Sequence, residues 1–487
     1  MEDKHIIEIE NNLENIRSND YIYRLKSEII AEHLPADLKK LYMAIPQLPV
    51  IATDTYYIHY SVMPILKTRN NDRVLDSILE IQRKYVASKE YNSIHTITRL
   101  NNDLSMVYAI QYTRKFIEAI KNELEKELTN HMKKQQKQKT TTTATNTLQG
   151  GSGPTGTQQK TPVQQLSQLV DKALSGDSSA RQLLQQLFST VTATNIQKIM
   201  DHATETATRT VKTADNIKKI LATGVAKSGT SFDKLLDLAD SLVDVHDMDK
   251  IISLANKIYA ETSMFVKLKK TRVRRGGEVS GYKRTRKIEE ALPREIALPD
   301  ELFIKKIIDG FTAIEKHETI EGAYYVLVDK SGSMTGMKTI WARSVALALF
   351  RLARRKKRKY FMRMFDTAVH PDKPLSDPSE LLEAILHIES SGGTDITGAL
   401  RHALEDLAKH KLSQYTNTII IITDGEDEVD ESIVKDFMSN RATLVAVMIA
   451  GENHTLRNIA EKTGGHYLKA HTTEDGALKI LEVVSRK

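Results

Sequence analysis

The stretch "YYVLVDKSGSM", residues 324–334, joins an apolar strand pattern to an abrupt polar end. Its first five residues are apolar on both faces, which is typical of a strand buried in a parallel sheet with helices on either side. Two similar runs, "TIIIIT" and "TLVAVMIA", follow it and alternate with helical segments. Residues 321–487 are therefore predicted to form a doubly wound, mostly parallel, Rossmann-like α/β sheet.

The rest of the 487-residue chain is predicted to be largely α-helical. Apolar residues three and four apart predict helical domains over residues 1–134 and 163–266, the second made of successive short helices. Residues 135–162 are rich in Gln, Thr and Gly, which predicts a flexible linker. Residues 267–320 are interpreted as a basic segment and a proline-punctuated helical connector. The proline-containing stretch at 45–64 is predicted to be a loop or a short extended piece.

Composition excludes several classes of protein. The chain has no cysteine, which rules out disulfides, thiolate catalysis and Cys-ligated zinc. No apolar run is long enough to cross a bilayer, and the start of the chain lacks the apolar segment of a secretory signal. We expect a soluble, cytoplasmic protein. Its net charge of +7 is modest but unevenly distributed.

Three loops of the predicted sheet carry oxygen ligands. The candidate metal ligands are Asp329, Ser331 and Ser333 in "DKSGSM", Thr394 in "SGGTDI" and Asp424 in "TDGEDE". Ligands bind outside the carboxyl ends of strands where the strand order reverses, so the loops converge if the strands before the two aspartates are neighbours. Two carboxylates and three hydroxyls form a hard-oxygen set that suits Mg²⁺ or Mn²⁺ rather than zinc. The alternative is that "DKSGSM" merely caps the next helix.

These three motifs resemble the metal-ion-dependent adhesion site (MIDAS) of von Willebrand factor A (VWA) domains: Asp-x-Ser-x-Ser, a Thr after Gly-Gly, and Asp-Gly after an apolar strand. The resemblance covers residues 321–487 and fills all five motif positions. It implies that both serines contact the ion directly, that the threonine does so directly or through water, and that the aspartates act largely through water. It also implies that an Asp or Glu of a partner protein is the final ligand.

The segment before this region resembles the CoxE/ViaA-like group of prokaryotic VWA proteins. Its matching positions are Gly277, Glu278, Gly281, Leu292, Pro293 and Glu295. This resemblance implies a MoxR-type AAA+ ATPase partner. It also implies chaperone-like remodelling of client proteins, or insertion of metal cofactors into them.

Catalytic motifs are not matched. "GSMTGMKT" has the wrong spacing for a phosphate-binding P-loop, and no G-x-S-x-G elbow is present. The acidic run at 426–428 is interpreted as a solvated rim rather than a second metal site. Four scattered histidines are expected on the surface or in the core: His370, His387, His402 and His466. We therefore expect a protein-binding module and not an enzyme.

Two further functions stay open at this point. Residues 267–287 contain ten Lys or Arg and residues 351–359 contain seven, and such stretches can neutralise nucleic-acid phosphates. They can equally end a helix in solvent or dock an acidic protein surface. The third possibility is a structural or assembly protein, including a viral one, that uses the same metal site.

Overall fold

The computed structural model describes residues 9–143, 161–221, 231–243, 245, 247–262, 271–273, 278–318, 321–413, 415–425, 427–472 and 474–486. The chain divides into two compact units. The helical unit comprises Met1–Lys218 and Ser231–Val243, and the α/β unit comprises Lys219–Thr230 and Asp244–Lys487. Among the described residues, every helix is too short or too polar to span a bilayer.

The helical N-terminal region is confirmed. Its helices are α1 (Tyr21–Glu32), α2 (Ala36–Ala44), α3 (Gln47–Tyr60), α4 (Arg73–Val86), α5 (Lys89–Thr98), α6 (Asn102–Thr143), α7 (Pro162–Leu174), α8 (Ser178–Leu221) and α9 (Phe232–Leu242). Helix α6 runs through Thr143, past the predicted start of the linker at residue 135. The rest of that linker, residues 144–160, lies outside the described residues.

The prediction of a loop or extended piece at 45–64 was wrong, because α3 occupies most of it. Eleven of its 14 residues are buried, so the helix lacks the polar face that marks a helical period in sequence. Pro46 precedes the helix and Pro49 lies in its first turn. A backbone N–H at the start of a helix has no acceptor within that helix. Proline, which lacks the N–H, therefore costs no hydrogen bond at these two positions.

The prediction of successive short helices over 163–266 also needs correction, since α8 is a single helix of 44 residues. The buried stripe of α8 passes through Ala203, Ala207 and Ala214, and these small side chains hide its continuity in the sequence. Helix α9 begins after Ser231, whose hydroxyl caps it by accepting a hydrogen bond from the Lys234 backbone N–H.

The α/β unit contains the remaining elements. In chain order they are α10 (Met248–Thr262), β1 (Thr271–Val273), β2 (Glu278–Thr285), α11 (Pro293–Ile296), α12 (Asp300–Asp309), β3 (Phe311–Glu318), β4 (Glu321–Asp329), α13 (Met337–Lys356), β5 (Tyr360–Phe365), β6 (Val369–Leu375), α14 (Pro378–Leu386), α15 (Ile396–Lys409), β7 (Thr416–Thr423), α16 (Val434–Ser439), β8 (Ala442–Ile449), α17 (His454–Lys462), β9 (His466–Ala470) and α18 (Glu474–Arg486).

The predicted doubly wound sheet is confirmed. Its six strands lie in the order β6-β5-β4-β7-β8-β9, and all pairs are parallel except the edge pair β5–β6. Helices α15, α16 and α17 pack on one face through a shared apolar cluster, whereas α13 lies on the other with α10, α14 and α18. The chain leaves β4 toward β5 and returns on the opposite side at β7. The strand order therefore reverses between β4 and β7, where an open α/β sheet binds its ligands.

The compact units divide the chain differently from the predicted domains. Helix α10 falls in the predicted 163–266 domain but packs on α13 and α18 of the α/β unit. The Ser344 hydroxyl donates to the Ile251 carbonyl at 3.2 Å, and the Arg351 guanidinium lies 4.1 Å from the centre of the Tyr259 ring. These contacts tie α10 to the sheet-covering helix α13.

The connector over 267–320 is only partly helical, because β3 pairs antiparallel with both β1 and β2 in a small three-stranded sheet. The "LPRE" element has a structural role there. Pro293 starts α11, and the Glu295 carboxylate accepts hydrogen bonds from the Thr312 hydroxyl at 2.7 Å and the Lys306 ammonium at 3.0 Å. Glu295 thereby joins α11, α12 and β3. Gly277 lies outside the described residues.

Candidate metal centre

Asp329 and Asp424 end up at the same edge of the sheet. Strands β4 and β7 are parallel neighbours, with Val328 opposite Ile422, so the residues that follow both strands emerge side by side. Both aspartates are buried, with 1% and 4% of their surface exposed. The condition for the predicted loops to converge is therefore met for these two loops.

The loop after β4 fixes the Asp329 carboxylate through both of its oxygens. Oδ1 accepts a hydrogen bond from the Ser331 backbone N–H at 2.8 Å, and Oδ2 accepts one from the Thr423 hydroxyl. The hydroxyl oxygens of Ser331 and Ser333 are 3.1 Å apart, with Ser331 buried and Ser333 exposed. The Ser331 hydroxyl therefore lies on the buried side of the loop and the Ser333 hydroxyl on the solvent side. Asp329 stabilises the turn that contains both serines.

The two carboxyl groups are close enough to interact electrostatically. Burial raises the pKa of the Asp329 carboxyl, and the negative charge of Asp424 adds to that rise, although the hydrogen bonds from Thr423 and Ser331 oppose it. A cation near both groups would favour their charged forms. A cation bound beside these two carboxyl groups would therefore be electrostatically favourable.

Backbone hydrogen bonds hold the loop that carries Thr394 against the first loop. The Gly332 N–H donates to the Gly392 carbonyl at 3.0 Å, and the Ser391 N–H donates to the Lys330 carbonyl at 2.6 Å. Gly392 has a φ of +85°, in the left-handed region that favours glycine. Thr394 follows two residues later and is half-buried, directly before the Asp395 cap of α15. The structure brings the Thr394 loop to the site. Among the described residues, no side-chain hydrogen bond joins Thr394 itself to the other four predicted ligands.

Asp424 is only half satisfied. Its Oδ2 accepts a hydrogen bond from the Lys338 ammonium at 3.0 Å, and the same ammonium donates to the Ser333 carbonyl at 3.2 Å. Its Oδ1 is buried and has no hydrogen-bond partner among the described residues. A buried carboxylate oxygen without a donor is costly, and an added cation or a water held by that cation would satisfy it. The residues present therefore fit a hard divalent ion.

Hydroxyl groups are essential to that fit. Within the described ranges, no group of three or more His, Cys, Asp or Glu side chains is arranged to hold a metal ion. Of the acidic run at 426–428, Glu426 is not among the described residues, and the Asp427 carboxylate accepts a hydrogen bond from the Ile396 N–H at 2.9 Å. Asp427 thus supports the start of α15. The four scattered histidines are exposed, as expected.

Sequence reasoning missed two residues of the site, Lys338 and Thr423. Lys338 lies in the first turn of α13, where the helix dipole disfavours a cation, and this unfavourable placement was the available signal that it has a specific partner. Thr423 is the polar end of an apolar run directly before a motif aspartate. Its hydroxyl also accepts a hydrogen bond from the Gly425 N–H at 3.0 Å, so it links the two aspartate loops.

The family model for the von Willebrand factor type A domain matches residues 324–426, which contain all five predicted ligands. The chain carries a VWA domain. An uncharacterized protein of Methanocaldococcus jannaschii is 29% identical over 226 residues, covering 43% of this chain and 51% of that protein. A VWFA domain-containing protein of Acidianus two-tailed virus is 27% identical over 152 residues, covering 29% of this chain and 16% of the viral protein.

The chain thus spans about half or less of the length of these relatives. Among solved structures, a von Willebrand factor type A protein from Catenulispora acidiphila is similar with a TM-score of 0.28 and 17% identity, covering 36% of this chain and 44% of that one. The protein BatB from Bacteroides thetaiotaomicron is similar with a TM-score of 0.29 and 17% identity, covering 34% of this chain and 97% of that one.

Proposed function

We propose that the VWA domain is a metal-dependent protein-binding module. In this proposal Ser331, Ser333 and Thr394 hold Mg²⁺, or Mn²⁺ in its place, while Asp329 and Asp424 support the ion. The observation that carries the proposal is the buried Asp424 Oδ1, which lacks a hydrogen-bond partner beside a hard-oxygen set. Protein interaction is a common role of VWA domains, and the domain match supports this class of function.

The donor set explains why a partner's carboxylate would be captured. Hydroxyl ligands are neutral and leave the bound ion much of its positive charge, which an anionic side chain can then neutralise. Asp329 accepts hydrogen bonds on both oxygens and so positions Ser331 rather than presenting an unsatisfied atom. The exposed Ser333 marks the side of the site that an Asp or Glu of another protein can approach.

The proposal extends to the partner and to the absence of catalysis. A MoxR-type AAA+ ATPase is the proposed partner, since the "LPRE" element that resembles the CoxE/ViaA-like group is built into the α/β unit through Glu295. The complex would act in chaperone-like remodelling of client proteins or in cofactor insertion. We propose no enzymatic role, because a hydrolytic metal site usually adds a positioned base or a second metal ion, and no group of three or more His, Cys, Asp or Glu in the described part of the chain is arranged to hold one.

Nucleic-acid binding is less well supported, because much of the basic stretch 351–359 is used inside the fold. Arg351, Lys356 and Arg358 are buried, Arg354 and Arg355 are half-buried, and only Lys357 and Lys359 of this stretch are exposed. The Arg358 guanidinium donates to the carbonyls of Gly322 and Thr416, at 2.7 and 2.9 Å. This stretch anchors the start of β4 and β7 instead of forming a continuous phosphate-binding surface.

The test combines a metal titration with an affinity pull-down. Mn²⁺ binding to the full chain, followed by electron paramagnetic resonance, should show one site that the Asp329→Ala/Ser331→Ala double variant loses. The same double variant, or a chelator, should abolish capture of the ATPase from the source cells. Asp372→Ala/Ser376→Ala is the matched control, because both of its residues are exposed and lie outside the site. Equal Mn²⁺ binding by both double variants, or capture that ignores chelator, would contradict the proposal.

A further inference from the structure

The helical unit contains a cavity that is separate from the metal centre. Its volume is about 520 Å³, and it lies among α3, α4, α5, α6 and α8. Cavities of roughly 300–1,000 Å³ accommodate small organic ligands. The cavity opens onto polar and aromatic side chains from all five helices, so its lining differs from the aliphatic packing of an ordinary helix bundle.

An aromatic cluster forms one wall of this cavity. The rings of His59 and Tyr108 have their centres 3.7 Å apart, and the ring of Tyr85 lies 5.8 Å from His59. The hydroxyls of Tyr85 and Tyr108 are 3.0 Å apart, and Tyr112 continues the wall, with its ring nearly parallel to that of Tyr108. The faces of such rings carry negative potential and attract cations.

His59 supplies an unpartnered polar atom in the same wall. The residue is fully buried, and its Nδ1 has no hydrogen-bond partner within the described part of the chain. Burial lowers the pKa of His59 to about 3, and the charge of His95 adds to the effect, so the imidazole is neutral at physiological pH. The tautomer that donates from Nε2 to the Tyr85 hydroxyl, 3.4 Å away, leaves Nδ1 able to accept a hydrogen bond.

Carboxylates outnumber cations around the cavity. Glu90, Asp201 and Glu205 line it together with one cation, Lys84. Burial raises the pKa values of Tyr85 and Tyr112, and the charges of Glu90 and Asp201, respectively, add to those rises. The two carboxylates therefore act on the aromatic wall, where they disfavour anions and strengthen the attraction for a positive charge. Gln197 donates to Asp201, and Arg209 pairs with Glu205.

We propose that this cavity is a binding site for a small organic cation, a protonated amine or a quaternary ammonium. The partly exposed ring of Tyr85 contacts the cationic group, with the nearly buried rings of Tyr108 and Tyr112 beside it. The exposed carboxylates of Glu90 and Asp201 balance its charge. His59 Nδ1 is buried behind this wall and is not reached by the ligand, so the aromatic and carboxylate contacts carry the binding. This site is independent of the proposed metal function.

Isothermal titration of the full chain with benzylammonium tests the inference, with tetraethylammonium as the quaternary probe. Benzyl alcohol and benzoate have related shapes without the positive charge, and both should bind at least tenfold more weakly than benzylammonium. The Glu90→Gln/Asp201→Asn double variant should lose at least tenfold in affinity for benzylammonium. Glu80→Gln is the matched control, because Glu80 is an exposed α4 carboxylate outside the cavity and its loss should change nothing.

Three results would overturn the inference. They are no binding of either ammonium ion at millimolar concentration, equal binding of benzyl alcohol and benzylammonium, and unchanged affinity in a Glu90→Gln/Asp201→Asn variant with wild-type circular dichroism. The Asp329→Ala/Ser331→Ala variant should still bind benzylammonium normally, which separates this site from the metal centre.

Discussion

The helical unit and the α/β unit both bury carboxylates, and they compensate the buried charge in different ways. Asp54 in α3 is fully buried and accepts hydrogen bonds at 2.8 Å from two neutral donors, the Asn12 N–H and the Tyr23 hydroxyl. Asp406 in α15 forms an ion pair with the Arg363 guanidinium at 2.8 Å. Asp424 contacts the Lys338 ammonium through Oδ2 alone, and its Oδ1 has no partner among the described residues. A carboxylate among neutral donors is compensated by a proton, and one that faces arginine is compensated by an internal ion pair. For the half-paired Asp424, we propose compensation by an external ion.

The largest effect is expected at the internal ion pair. Asp406→Ala leaves the buried Arg363 guanidinium without its counter-charge and the Tyr325 hydroxyl without its acceptor, which should cost about 3–5 kcal/mol of unfolding free energy. Urea unfolding followed by fluorescence of the chain's single tryptophan, Trp341, reports on the α/β unit, where this residue is fully buried. Glu405→Ala is the exposed neighbour and should change stability by less than about 0.5 kcal/mol. Equal costs for the two variants would break the proposed contrast between the units.

The second effect is a pH dependence confined to the helical unit. Burial raises the pKa of Asp54 to about 7, so the folded state binds this proton more tightly than the unfolded state does. The destabilisation is absent below the unfolded pKa, grows as pH rises and is complete above about pH 7. Between pH 5 and pH 8 the helical unit should lose about 2–3 kcal/mol of stability from this group.

Hydrogen exchange of α3, corrected for intrinsic rates, measures this loss in the full chain. Asp54→Asn removes the titrating proton, and the Tyr23 hydroxyl can turn to the Val50 carbonyl, 3.2 Å away. The α3 exchange of this variant should therefore depend less on pH than that of the wild type. An opening free energy for wild-type α3 that is constant from pH 5 to pH 8 would show that Asp54 stays charged and is compensated by its donors alone.

The third effect concerns the half-paired carboxylate and rests on the proposed metal site. Lys338→Met removes the ammonium that satisfies Asp424 Oδ2 and repels an incoming divalent ion. We expect Mn²⁺ to bind about tenfold more tightly, or about 1.4 kcal/mol. Lys435→Met, an exposed lysine on α16, controls for the general change in charge. Weaker Mn²⁺ binding by the Lys338 variant would mean that the ammonium orients Asp424 and does not compete with the ion.

The difference between local pattern and long-range contacts explains how much could be predicted from the sequence. Buried parallel strands give unbroken apolar runs, and the residues directly after them lie at one edge of the sheet. Local pattern therefore placed Asp329 and Asp424 at the ends of buried strands, while their convergence depended on β4 and β7 being neighbours, which the structure shows. The partners of Lys338 and Asp54 could not be predicted, because Lys338 reaches Asp424 across 86 positions and Asp54 reaches Asn12 across 42.

Helix α3 and the small three-stranded sheet of the connector could not be predicted from the sequence for a related reason. A helix buried on nearly all sides has no polar face to reveal its period, so its prolines were the most visible feature of residues 45–64. Strand β3 is stabilised by its pairing with β1 and β2. Those strands end at Val273 and Thr285, whereas β3 begins at Phe311, so the pairing is not local in sequence. In both cases tertiary contacts, rather than local preference, decide the structure.

The smallest effect should be the same in both units, because a helix cap is a local interaction. Ser231 accepts a hydrogen bond from Lys234 N–H at the start of α9, and Asp377 accepts one from Ser379 N–H at 2.9 Å at the start of α14. Ser231→Ala and Asp377→Ala should each cost about 1 kcal/mol. Hydrogen exchange of α9 measures the first, and Trp341 fluorescence in urea measures the second. Ser231→Asp keeps an acceptor and should recover most of the loss. A cap in the α/β unit that cost several times more than the cap in the helical unit would mean that the two units differ in local cooperativity as well as in their treatment of buried charge.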